Sequence, residues 1–220
     1  MMRVAHMAVR DFRAIRKFDR RFDPSHQIIV GPNGCGKTTL LNLLAMAAGS
    51  DRASGLFAGE RIGHLSVTLV NDGCEYTIEI GDRLDPDYFD ECKAALPQRV
   101  NFAFDEDYSD WLANGKIDVE EAERLIDAYR VRENLDTNVF GRRGQTVQAC
   151  FGDGSKQGIR LCLCAAMRDG PLLLDQPARH LHIVVKRFMG IMFAKTPQQV
   201  ISVTHDPEWI AESMNSAFSL

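Results

Sequence analysis

Apolar and polar residues alternate along residues 2–12 (MRVAHMAVRDF) and 17–23 (KFDRRFD), which predicts two strands at the start of the chain. The short apolar run QIIV (Gln27–Val30) reads as a buried strand. It is followed by a glycine-rich loop and then by a helical pattern, KTTLLNLLAMAA, from Lys37 to the stop at Gly49. HLSVTLV and CEYTIEI return to period two on either side of NDG, a strong hairpin signal.

From about Arg83 to Gly144 the texture changes to helical spacing. DPDYFDECKAAL and DVEEAERLIDAYRVREN predict helices, the second with Val119, Ala122, Leu125, Ile126 and Tyr129 on one face. No heptad is sustained, so this section predicts a compact helical lobe. A helix is expected from FGDGSKQG to about Arg168, with Ile159, Leu163, Ala166 and Met167 inward. The strand PLLLD, a helix through HIVVKRFMGIMFA, the strand QQVISVT and the helix PEWIAESM follow. Strands alternating with helices in this way predict an α/β fold with a mixed, mostly parallel sheet flanked by helices. One domain is expected, in three stretches: 1–82 with the loop and the antiparallel hairpin, an inserted helical lobe over 83–144, and a closing part over 145–220.

Composition narrows the picture. The chain has 220 residues, 45% of them hydrophobic and 25% charged, enough for a sizeable core. No apolar run approaches the roughly 18 residues of a membrane helix, and the N-terminus has no apolar core of a signal peptide; both lead us to expect a cytoplasmic protein without a membrane partner. The six cysteines form no C-x-x-C pair, which argues against zinc and fits a reducing compartment. The formal net charge is −4, yet Arg3, Arg10, Arg13, Arg16, Lys17, Arg20 and Arg21 crowd the first strands. Solvated strand faces account for such a run; a local patch for nucleotide phosphate or nucleic acid is the sharper alternative.

GPNGCGKT (Gly31–Thr38) satisfies G-x-x-x-x-G-K-[ST] between an apolar strand and a helix, where a phosphate loop must lie. Glycines let the backbone curl so that its N–H groups converge on phosphate oxygens, and the helix N-terminus adds its positive end. Gly31, Pro32, Asn33, Gly34, Cys35, Gly36 and Thr39 are thus expected around a nucleotide, with Lys37 on its β- and γ-phosphates and the Thr38 hydroxyl on Mg²⁺. Asp175, at the end of PLLLD, is the expected second magnesium ligand.

GPNGCGKTTLL resembles the phosphate loop of ABC-type ATPases, and further motifs follow in that family's order. FGDGSKQG stands at the place of its signature, LLLDQP at Walker B, and SVTHD at the switch histidine, His205. DQPARHLH and the opening MAVRDFRAI are similar to the soluble RecF/OLD-like branch. The resemblance implies ATP with Mg²⁺, a two-lobed fold, and head-to-tail homodimers in which one subunit's phosphate loop meets the other's signature. It also implies an effector partner such as a nuclease or other toxin, and work beside DNA in repair or phage defence. His205 would approach the γ-phosphate and the attacking water. His182 takes the D-loop place, as is usual where the motif ends HLH. The Q-loop residue stays open among Gln98, Gln145 and Gln148. Arg13 is the foremost basic candidate for adenine and phosphate.

The chain departs from the family at two points. Aligned on Gly154, the signature serine is replaced by Gly152 with Asp153 beside it. Ser155 and Lys156 can supply a hydroxyl and a charge in a shifted register, or Ser155 can simply cap the helix. More consequentially, Gln176 stands where the catalytic glutamate is expected. A carboxamide can orient a water but cannot take its proton at neutral pH, and loss of a general base costs about 10²–10⁴-fold in rate. Gln176 is either the mark of a natural slow ATPase used as an ATP-dependent clamp or a deliberate Glu-to-Gln substitution that traps the bound dimer. The otherwise intact motifs lean toward the second. The function expected is an ABC-type ATPase gating a partner by ATP-driven dimerisation. A non-hydrolysing ATP sensor or scaffold is the alternative, and a transporter ATPase subunit is more distant because the signature is degenerate and the early hairpin short.

Overall fold

A computed structural model describes residues 2–48, 56–85, 87–88, 91, 117–133, 152–167, 170–212 and 217–219. The strands are β1 (Arg3–Phe12), β2 (Ile15–Arg21), β3 (Gln27–Val30), β4 (Arg61–Asn71), β5 (Cys74–Arg83), β6 (Leu172–Asp175), β7 (Val200–Thr204) and β8 (Ala217–Ser219). The helices are α1 (Lys37–Ala47), α2 (Val119–Glu133), α3 (Asp153–Ala165), α4 (Ile183–Lys195) and α5 (Pro207–Glu212). They build two sheets, one antiparallel in the order β2-β1-β4-β5 and one in the order β6-β7-β3-β8 whose paired strands run parallel.

Alternation along the strands explains how these sheets stack. In β3, Ile29 packs into a core shared with α1 and the antiparallel sheet, whereas Ile28 packs with α2, α3 and α4. β6 divides in the same way, Leu173 to the first core and Leu172 and Leu174 to the second. The parallel sheet is therefore buried on both faces, which is why its strands read as continuous apolar runs. β1 gives Val4, Met7 and Val9 to the first core, with a bulge between Val4 and His6 that shifts its register. Gln199, just ahead of β7, ties the sheets together: its buried side chain accepts from Val4 N at 2.7 Å and donates to the carbonyls of Val4 and Asp23, each at 2.8 Å.

The antiparallel component is thus a four-stranded sheet of its own, taking in β1 and β2 as well as the expected hairpin. That hairpin turns at Asp72 and Gly73, both at positive φ (49° and 85°), the geometry the NDG sequence predicts. β2 starts at Ile15 and not at Lys17, because Phe12 pairs with Ile15 across a turn in which Arg13 adopts φ 50°. α3 stops at Ala165, short of the expected Arg168. Met167 instead forms a bridge with Ile117, and Asp118 N donates to Ala166 O at 2.8 Å, which fastens the start of α2 to the end of α3. β8 pairs with β3 and has no counterpart in the sequence pattern. Most of the helix expected over DPDYFDECKAAL, much of the 83–144 lobe, and Gln98, Gln145 and Gln148 lie outside the described residues. Among the described residues no helix is long and apolar enough to cross a membrane.

Candidate functional site

Register brings the site together. β3 and β7 pair with Val30 opposite Thr204, and β6 and β7 with Asp175 opposite Val203. The carboxyl ends of all three strands are therefore level, and the phosphate loop, Gln176 and His205 leave the same edge of the sheet, where ligands of open α/β sheets bind.

The loop from Gly31 to Gly36 curls through two left-handed glycines, Gly34 at φ 81° and Gly36 at φ 102°. Gly36 could not carry a side chain even without that φ, since a Cβ would come within 2.7 Å of Ile15 Cγ1. Lys37 opens α1 and is buried, its Nζ donating to the carbonyls of Gly31 (2.7 Å) and Pro32 (2.8 Å), with Cys35 Sγ at 4.0 Å. The ammonium is thus folded back under its own loop. Asn33 and Thr38 are exposed and Thr39 is half-buried. The Thr38 hydroxyl donates to Asp175 Oδ2 at 2.8 Å across 137 residues of sequence. A hydroxyl and a carboxylate oxygen held side by side at the mouth of a phosphate loop are hard oxygen donors of the kind Mg²⁺ takes, so these residues fit that ion.

Gln176 follows directly in a left-handed conformation, φ 49°. Its N–H donates to Val203 O at 2.9 Å, its carbonyl accepts from Arg179 N at 3.0 Å, and its side-chain Oε1 accepts from the Thr204 hydroxyl at 3.4 Å. His205 is exposed at the end of β7. The turn beyond it is rigidly anchored. Asp206 Oδ1 accepts from the N–H groups of Glu208 (3.1 Å) and Trp209 (3.0 Å), capping α5, while Oδ2 takes Lys186 Nζ at 2.6 Å. Partial burial opposes ionisation of Asp206, but the hydrogen bonds from Lys186 and the helix N–H groups outweigh it and hold the carboxyl below its ordinary range. Lys186 also reaches Glu208 at 2.9 Å, and these two acids keep its ammonium charged against partial burial.

The signature segment forms the first turn of α3. Gly152 is the N-cap residue and Ser155 lies inside the helix, so the reading of Ser155 as the cap is corrected; the helix starts at Asp153, three residues earlier than that cap would place it. Gly154 packs so closely on the turn after β6 that a Cβ would meet His180 O at 2.7 Å, and Gln157 Nε2 donates to Pro177 O at 3.1 Å. Ser155 and Lys156 are half-buried beside them. His182 caps α4, its Nδ1 accepting from Val184 N at 3.5 Å. Arg13 sits on the β1–β2 turn that Gly36 touches, but its guanidinium is engaged elsewhere. Nε donates to Glu60 Oε2 at 2.9 Å, a second nitrogen holds Oε1, and Cζ lies 4.4 Å from the Phe57 ring centroid. The hydrogen bond from Arg13 holds Glu60 below the usual carboxylate range and raises the guanidinium in turn. Thr204, Lys186 and Gln199 escaped the sequence reading; Thr204 alone left a trace, as the residue before His205 in SVTHD. A separate cleft of about 680 Å³ between α2, α4 and the end of α3, lined by Leu125, Ala166, Phe188, Ile191 and Gln198 among others, shares no lining residue with the phosphate loop.

Comparison with known proteins bears on the family and the fold. A family model described as an AAA domain matches residues 6–129, more than half of the chain. The chain belongs to the AAA domain family. Its fold is that of the P-loop domains seen in SMC heads and ABC-type ATP-binding proteins. It is 26% identical over 198 residues to "ABC transporter F family member 2" of Dictyostelium discoideum, an alignment covering 90% of this chain and 28% of that protein. The AAA domain therefore spans little more than a quarter of that relative's length. In fold it is similar to the SMC head domain from Thermotoga maritima, with a TM-score of 0.59, 17% identity, and coverage of 99% of this chain and 94% of that one. An SMC head bound to the C-terminal winged-helix domain of ScpA is similar at a TM-score of 0.60 and 13% identity, covering 95% and 92%.

Proposed function

We propose that this chain is an ABC-type ATPase of the RecF/OLD-like branch whose ATP-driven head-to-tail dimerisation gates a partner in DNA maintenance or phage defence. The observation that carries the reading is the Thr38–Asp175 contact of 2.8 Å beside the buried Lys37, at the edge where Gln176 and His205 also emerge. On binding ATP, Lys37 exchanges the loop carbonyls for β- and γ-phosphate oxygens, and the loop N–H groups from Gly34 to Thr38 take the remaining phosphate contacts. Mg²⁺, held by Thr38 and Asp175, would supply neutralisation of the phosphate charge.

In hydrolysis a water oxygen attacks the γ-phosphorus, the β–γ bridging bond breaks, ADP leaves, and the water's proton must pass to a base. Position 176 is the seat of that base and His205 the neighbour of the γ-phosphate; a carboxamide at 176 cannot take the proton, so the chain as written turns over slowly. Slow turnover suits a clamp, or equally a sensor that holds an effector assembled. Ser155 and Lys156 of one subunit are proposed to complete the site of the other, two-fold symmetry making two sites at once. The partner is proposed to be an effector protein such as a nuclease, in the cytoplasm. An SMC head with a winged-helix domain docked on it is a precedent in the same fold for protein partners. A role beside DNA draws support from Arg10, Lys17 and Arg21, exposed on the solvent face of the β1–β2 hairpin, where Arg10 is paired with Lys17.

Isothermal titration with Mg²⁺-ATP tests the phosphate site. Lys37→Ala is expected to weaken binding by at least about 100-fold, since it removes a positive charge held under the loop. Unchanged affinity would contradict the assignment.

A further inference from the structure

We infer that Thr204 is a positioning residue for the side chain at 176, deciding which of its two polar atoms faces the nucleotide; this rests on the reading of position 176 as the seat of the base. Thr204 is the last residue of β7 and completely buried. Its hydroxyl meets two groups. Asp206 N donates to Oγ1 at 3.0 Å, and Oγ1 lies 3.4 Å from Gln176 Oε1. An N–H can only donate, so that contact takes one lone pair of the hydroxyl, and an amide oxygen can only accept, so the hydroxyl gives its single proton to Oε1. The polarity of the chain is fixed: Asp206 N–H to Thr204, Thr204 O–H to the carbonyl of residue 176.

The far end of the chain cannot give way. Asp206 is clamped by Lys186 and caps α5, and a β-branched side chain has little freedom at χ1. The backbone of residue 176 is referenced to the same strand, its N–H donating to Val203 O at 2.9 Å. Main chain and side chain at 176 are thus both set by two adjacent residues of β7.

The consequence differs with the residue at 176. In the chain as written the acceptor oxygen of Gln176 is committed to Thr204, so the carboxamide turns its NH₂ group toward the site. A donor cannot receive a hydrogen bond from the attacking water. With glutamate the same hydroxyl holds one carboxylate oxygen and leaves the other to face the water, in the orientation a base requires. Thr204 is fully buried and acts through residue 176.

The test uses the full chain in the Gln176→Glu background and compares two pairs that differ by one hydroxyl, Thr with Thr204→Val and Thr204→Ser with Thr204→Ala. Each pair is measured for kcat, KM, Mg²⁺-ATP affinity and melting temperature. Removing the hydroxyl is expected to lower kcat about tenfold, the scale of a misplaced catalytic group, with KM and affinity held within about twofold. Thr204→Ser is expected to retain most of the turnover. The Ser–Ala pair keeps the inference testable if the valine protein does not fold. Equal kcat within both pairs overturns it, as does a loss shared by serine and alanine or a loss that falls on KM and kcat alike. If Gln176→Glu is itself no faster than the chain as written, the reading of position 176 fails and this inference with it. If glutamate restores turnover and the hydroxyl is irrelevant, only the inference falls.

Discussion

At the scale of single residues, the buried Lys37 and the 2.8 Å contact between the Thr38 hydroxyl and Asp175 Oδ2 define the candidate site. Lys37, Thr38 and Asp175 could be named because a phosphate loop and a strand-ending aspartate carry their meaning within a few residues of sequence. The Thr204 hydroxyl, by contrast, acquires a role only when parallel pairing sets β6 beside β7. His26 is a second case. It lies just ahead of β3, with Nε2 3.0 Å from the Ser202 hydroxyl and its ring packed near Phe193 and Trp209. Burial lowers its pKa to about 4, against 6.5 for a free histidine. Between those values the unfolded chain binds a proton that the folded chain refuses, so this contribution is complete above pH 6.5 and is lost as pH falls toward 4. Denaturant titration at pH 7 and pH 5 is expected to show about 2 kcal/mol less stability at the lower pH from this group. A His26→Gln protein should lose that part of the slope; an identical slope in both proteins would count against a buried neutral imidazole.

At the scale of elements, long periodic segments were read well and short or unsignalled ones were not. α2 spans Val119–Glu133, within a residue of its pattern at either end, because its apolar face recurs over several turns. The β1–β2 hairpin closes on Arg13 and Ala14, which carry none of the glycine or asparagine signal of a tight turn, and β8 is too short to show any period. Nor could the sequence reveal that Gly158 lies under Tyr129. A Cβ there would come within 2.3 Å of the tyrosine Cζ, and Tyr129 is buried and cannot swing away. Alanine in a helix interior normally gains about 1 kcal/mol over glycine. Here the sign should reverse, with Gly158→Ala destabilising by about 1–3 kcal/mol through overpacking of α2 on α3. Thermal melts of Gly158→Ala, Tyr129→Leu and the double variant check this. The double is expected to be less damaged than the sum of the singles. Strict additivity, or a stabilising alanine, would show that α2 does not press on α3 at this point.

At the scale of the whole molecule, the two sheets and the helices around them put the phosphate loop and the first turn of α3 on one rigid frame, and a second subunit is proposed to bring loop and signature together. Gly154 is a poor place to probe that union, since any side chain would displace the carbonyl of His180 in its own subunit. Lys156 is the better probe: Lys156→Glu should leave Mg²⁺-ATP affinity of the monomer nearly intact and weaken the ATP-dependent dimer in light scattering by about tenfold or more, as expected when a charge of the wrong sign faces polyphosphate. A dimer indifferent to Lys156→Glu would place the signature elsewhere. Position 176 is proposed to hold the base of an ATPase, and phosphate release from the chain as written beside Gln176→Glu is the decisive measurement. The rate is expected to be at least about 100-fold higher with glutamate, the range a general base commands, with a correspondingly shorter-lived dimer. Equal rates of phosphate release from the two proteins would contradict it.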